Sequence, residues 1–305
     1  MFIENVLKVK NEAWRYVIGF LIIFFITQLG SIPFTVAIFS KIGLDGGSNL
    51  DIKNMMTILE NSNLTLFYVL LPYVFGFFGI ILVIKTLHNQ SLLLLTTTRK
   101  KIDFNKIAIS FIIAGFIIFF TVTISYLISP NEYLFNFKSD TFLILLIITI
   151  LFMPLQASFE EYLFRGYLMQ GLGGVFGNRW MPLLITSLLF GLLHFWNPEV
   201  SELGTIFLFQ YVVTGLFLGL LTIMDDGMEL SLGFHAGNNV LISLLITADW
   251  TVLQTDSVLK FVGDPKMSIA TIIPAVILYP VILLYFSKKY KWENWEKKIL
   301  TKFDN

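Results

Sequence analysis

Apolar runs of membrane-crossing length alternate with short polar connections along almost the whole chain. Eight runs fall at about 16–38, 64–87, 107–128, 141–170, 180–196, 204–224, 230–248 and 268–287. Each is near the ~20 residues a helix needs to cross a hydrocarbon core; the fifth is short and the fourth is long. Open strands are excluded as spanning elements, because their edges would leave backbone groups unpaired in lipid. The pattern predicts an all-α, polytopic membrane protein with about eight transmembrane helices. Residues 1–15 are polar and amphipathic. The 39–63 connection, running through Gly43 to Asn54 with Gly46, Gly47, Ser48 and Asn49, reads as a mobile loop.

Composition sharpens this picture. Of 305 residues, 56% are hydrophobic and 14% are charged, against about 25% charged in a soluble domain. Mean hydropathy is +0.76. Net charge is zero, so no overall field points to nucleic acid as a partner. The absence of cysteine excludes disulfides, a thiol nucleophile and thiolate-bound metal. The first apolar run continues well past the length of a signal-peptide core and no small-residue cleavage pattern follows it, so it reads as a span.

Cations set the expected orientation. Lys8, Lys10, Arg15, Lys85, Arg99, Lys100, Lys101, Lys106, Arg165, Arg179, Lys288, Lys289, Lys291, Lys297, Lys298 and Lys302 fall on one side; Lys41, Lys53, Lys138, Lys260 and Lys266 fall on the other. Sixteen against five places both termini in the cytoplasm and the chain, as a multi-pass protein, in the plasma membrane.

The costly feature is Glu160-Glu161 at the end of the apolar run Thr141–Leu155. An ionisable group at membrane depth marks a functional site by default, the plain alternative being a structural ion cluster at a helix end. Arg165 shares a helix face with Glu161, four residues on. Glu160 is rotated by about 100° and points elsewhere. Of the three histidines, His88 sits beside Asn89 and Gln90 at a helix end and reads as interfacial. His194 follows Phe190 by four residues, and His235 precedes Asn239 by four. At 1.5 Å per residue, Glu160 and His194 lie about 18 and 21 Å from helix ends near Leu172 and Trp180. His235 and Asn239 lie only about 9 and 15 Å from a start near Glu229, which predicts a ladder below the other two. A polar cavity walled by the fourth, fifth and seventh helices, open to the cytoplasm, would hold all of them, with Glu160 facing His194.

These residue types suit hydrolysis. A buried carboxylate beside a neutral histidine can take a proton from water, and a histidine with an asparagine amide can donate to an oxyanion. Glu and His are both zinc ligands, so zinc is admitted as a cofactor, although no His-Glu-x-x-His occurs. Other features carry less. Asp225-Asp226-Gly227 reads as a tight turn. Gly171, Gly173, Gly174 and Gly177 read as a helix end, since no Lys-Ser/Thr follows. The aromatic and basic stretch 290–298 reads as an interface anchor.

Glu160-Glu161-x-x-x-Arg165, Phe190-x-x-x-His194 and His235-x-x-x-Asn239 together resemble the three motifs of the CAAX protease and bacteriocin-processing family, the Abi-type intramembrane endopeptidases related to the Ras-converting CAAX protease. The resemblance spans about residues 140–248. It implies an endopeptidase, often called a metalloprotease, acting on a peptide or a lipidated, membrane-associated precursor. Within it, Glu160 would be the general base assisted by His194, His235 and Asn239 the oxyanion site, and Glu161 with Arg165 the pair that shapes the fourth helix. The chain then divides into residues 1–139 with the first three helices, a protease core at 140–248, and a last helix with a basic tail at 249–305. The rival expectation is a non-proteolytic scaffold or bacteriocin-immunity protein that binds a peptide or a sensor kinase.

The cation asymmetry makes a direct prediction. Reporters fused after residues 138 and 260 should read as external, and those after 100 and 290 as cytoplasmic. An external reporter at 100 overturns the orientation.

Overall fold

Among the described residues, each of the eight apolar runs contains a helix. The computed structural model describes residues 1–43, 52–266 and 273–303. We label the helices α1 (Ala13–Ile42), α2 (Ser62–Thr86), α3 (Phe104–Ile128), α4 (Ser139–Phe176), α5 (Trp180–Leu193), α6 (Phe207–Asp225), α7 (Glu229–Leu245) and α8 (Tyr279–Tyr290). The Gly46–Asn49 stretch and the beginning of the eighth predicted run lie outside the described residues.

The chain is an all-α polytopic membrane protein. Among the described residues, α1, α2, α3, α4 and α6 are long and apolar enough to cross a bilayer. Of the three that fall short, α5 and α7 carry the histidine motifs. With 14 residues, α5 rises only about 21 Å. Helix α7 has 17 residues and is buried along most of its length, polar positions included.

A small sheet adds to the helical plan. Strands β1 (Tyr133–Phe135), β2 (Ile246–Ala248) and β3 (Leu259–Phe261) pair in the order β1-β3-β2. β1 runs antiparallel to β3, with Leu134 opposite Lys260. β2 runs parallel to it, with Thr247 opposite Lys260. Strands of three residues leave no readable alternation in the sequence. The sheet ties the start of α4 to the end of α7 at the bundle end opposite the chain termini.

The termini are knitted together at the other end. Arg99 bridges Asp225 and Glu229 at 2.9 and 3.0 Å. Lys106 reaches Asp225 at 2.6 Å, and Lys298 reaches Asp226 at 2.6 Å. The Trp292 indole N–H donates to Asp225 at 3.2 Å, so this part of the tail is turned into the protein. Arg179 pairs with Glu4. The expected turn at Asp225-Asp226-Gly227 is present, with Asp226 left-handed (φ 55°), and it is also an ion-pair hub. Gly177, with φ 60°, caps α4 in the way glycine commonly ends a helix. His88 is not interfacial: it is fully buried. Its Nδ1 lies 2.7 Å from the Lys10 carbonyl and its Nε2 lies 3.0 Å from the Tyr167 hydroxyl. Burial pushes its imidazole below the ordinary histidine range.

Helix α7 meets α3 through Gly233 and Gly237. A Cβ at either would collide with the Ile107 or Phe111 carbonyl oxygen, so only glycine allows this approach. Glycines four apart share a face; His235 and Asn239, offset by two residues, present the opposite side to α4.

Candidate active site

The two adjacent carboxylates enter the bundle on α4, just before its hydrogen bonding loosens. Residues Tyr162–Leu168 form a π-helical stretch between two α-helical parts. Such stretches are rare and cluster at functional sites. Arg165 lies inside it. Its Nη1 donates to Glu161 Oε1 at 2.9 Å, its Nη2 donates to the Gly215 carbonyl at 3.2 Å, and its guanidinium stacks over Phe190 with Cζ 4.4 Å from the ring centre. Both charged side chains are essentially unexposed, at 0% for Glu161 and 1% for Arg165. Arg165 therefore belongs to neither face, and the cation count becomes fifteen against five.

His235 lies between the carboxylates. Its Nδ1 is 2.8 Å from Glu161 Oε1, and its Nε2 is 3.5 Å from Glu160 Oε2. A carboxylate only accepts, so Nδ1 carries a proton toward Glu161 and Nε2 is the nitrogen presented to Glu160.

Glu160 is held on its other side. Gln156, one turn earlier on α4, donates from Nε2 to Glu160 Oε1 at 2.6 Å. The Asn239 amide donates to Gln156 Oε1 at 2.9 Å, and Asn238 donates to Asn239 Oδ1 at 3.0 Å. Asn239 thus joins the carboxylates through Gln156, a residue the motif reading passed over. Its signal was present: a glutamine within an apolar run, four residues before Glu160.

His194 caps α5 and donates from Nδ1 to the Phe190 carbonyl, 2.7 Å away. Its neutral ring therefore offers Nε2 as an acceptor. It stacks on Tyr211 with centroids 4.1 Å apart and planes at 21°. Phe190 touches both histidine rings, at 4.8 Å from His194 and 6.1 Å from His235. The bonded partners of Glu160 are His235 and Gln156.

The depth expectation is corrected. His235 is level with Glu161, not below it, because the start of α7 packs beside Tyr162 and not beside the Leu172 end of α4. The connection after α2 folds back into the bundle and meets the start of α7, where the Met228 N–H donates to the Thr96 carbonyl at 2.8 Å. The Thr96 hydroxyl in turn touches the Tyr162 hydroxyl at 2.7 Å. Helix α7 thus begins beside Tyr162. Helices α4, α5 and α7 do meet at this cluster. Two cavities in the described residues, of about 440 and 530 Å³, lie elsewhere, at the two ends of the bundle.

Residues 139–241 match the family model for type II CAAX prenyl endopeptidases, Rce1-like. The family resemblance carried by the three motifs is borne out. The match covers α4 to α7 through Asn239 and therefore contains the whole cluster. A curated relative extends the likeness beyond this matched segment: the uncharacterized protein YyaK of Bacillus subtilis (strain 168) is 28% identical over 285 residues, covering 92% of this chain and 95% of its own. No solved structure matches.

Among the described residues, no three His, Asp or Glu side chains converge on a common metal position. His235 turns its two nitrogens to two carboxylates instead.

The ion pair makes a prediction about stability. Glu161→Ala and Arg165→Ala each leave an unpaired buried charge, which typically costs about 3–5 kcal/mol. Both variants should melt earlier in detergent. The double variant should cost less than the two together, because the partners are coupled. Strict additivity would show that the pair is not a unit.

Proposed function

We propose that this chain is an intramembrane endopeptidase of the plasma membrane in which Glu160 activates water. The observation that carries the reading is the cluster of three groups at one level: Glu161 fixes His235 from one side, and His235 faces Glu160 on the other. The match to the CAAX prenyl endopeptidase model supports the reaction class. The substrate is a peptide or protein, either membrane-associated or lipidated, and the bilayer is the other partner. Residues 140–248 act as the core, with 1–139 and 249–305 flanking it.

The chain's own groups account for the chemistry. Glu160 takes a proton from water as the water oxygen attacks the scissile carbonyl carbon. Negative charge then develops on the carbonyl oxygen. Protonated His235, through Nε2, and the Asn239 amide are the donors placed to stabilise it. Glu160 returns the proton to the departing amine as the C–N bond breaks, leaving a carboxylic acid and a free amine. His194, with Nε2 as acceptor, assists in orienting the water. Glu161 and Arg165 hold His235 and α4 in register.

The test is cleavage of candidate precursor peptides by the purified protein. Glu160→Gln keeps the size and removes the proton acceptor, so cleavage should fall by about 10²–10⁴-fold at unchanged membrane abundance. A chelator should leave the wild-type rate unchanged, whereas a loss restored by zinc would assign a metal to the site. Full biological activity in Glu160→Gln, with loss in Glu161→Ala, would make the pair structural and favour the non-proteolytic scaffold or immunity protein.

A further inference from the structure

The amides around Glu160 form a one-way chain. Asn238 donates to Asn239, Asn239 donates to Gln156, and Gln156 donates to Glu160. The chain terminates on a carboxylate, which can only accept, so the direction is fixed. The last link, at 2.6 Å, is the shortest of the three, as expected where the acceptor is ionised. Gln156 is buried and uses both ends of its amide.

Asn239 gives one N–H of its amide to Gln156 Oε1, which leaves the second N–H for a substrate carbonyl oxygen at the proposed oxyanion position. The same Gln156 amide holds the carboxylate proposed as base. From this geometry we infer that Gln156 is a positioning residue with two linked jobs: it orients the Asn239 amide so that the second N–H meets the substrate carbonyl, and it fixes Glu160 for attack on water.

The inference rests on the protease reading and carries a distinctive kinetic signature. Gln156→Met keeps the length of the side chain and removes both amide ends. Loss of the bond that orients the carboxylate should lower kcat by about ten- to a hundred-fold, the range for a hydrogen bond to a charged group. Loss of the bond that orients the Asn239 amide acts on the transition state and should leave KM unchanged. Gln156→Glu retains an acceptor for Asn239 but places a second carboxylate against Glu160; it should also lose kcat, with KM unchanged. Both variants are compared with wild type for cleavage and for melting temperature in detergent. A raised KM with unchanged kcat would mean that Gln156 contacts substrate, and the inference fails. Wild-type kinetics in both variants also overturns it, as does a loss of cleavage that tracks only a fall in folded protein. If the wild-type protein cleaves no peptide while remaining folded, the protease reading itself fails, which is a separate outcome.

Discussion

A buried guanidinium with one carboxylate partner sets the terms for the rest of the site. Arg165 has no water to turn to, so Glu161 must face it, and Gly215 and Phe190 take up what the carboxylate leaves. Breaking such a pair strands a charge in a medium that cannot solvate it, which is far costlier than never having built it. Glu161 Oε1 is therefore a fixed point, and the His235 Nδ1 that bonds to it is fixed with it. The orientation of the imidazole, and which nitrogen looks at Glu160, follow from a charge pair that itself touches no substrate.

Helix α7 can bring His235 to that fixed point because of what lies on its other face. Gly233 and Gly237 let its backbone press against the carbonyls of α3. In lipid, where apolar side chains gain little by leaving one another, close backbone approach through small residues is a main source of helix association. Its start is anchored by the Arg99–Glu229 pair and by the refolded connection at Thr96. Polar positions on this helix are thereby kept away from lipid, which is why a helix with histidine and two asparagines persists at this depth.

The sequence made the spans and the cluster of motif residues legible, for a simple reason: lipid enforces apolar runs, and ionisable residues inside them stand out. Helical spacing was enough to pair Glu161 with Arg165. What spacing could not supply was the relative level of the helices. The depth estimate took the Leu172 end of α4 and the start of α7 as one level, whereas the start of α7 packs beside Tyr162. Nor could spacing show that Glu160 meets His235 and Gln156. The sheet went unread because three-residue strands carry no pattern. Gln156 went unread because a single amide in an apolar run is a weaker signal than a charge.

The central claim is that Glu161 holds the Nδ1 proton of His235 and so turns Nε2 toward Glu160. With three histidines in the chain, nitrogen-15 NMR of protein labelled only at histidine resolves it, His88 and His194 being assigned by substitution. The account predicts a protonated Nδ1 on His235, with its proton shifted far downfield by the carboxylate, whether the ring is neutral or charged. A neutral His235 ring with Nδ1 bare and the proton on Nε2 would contradict it.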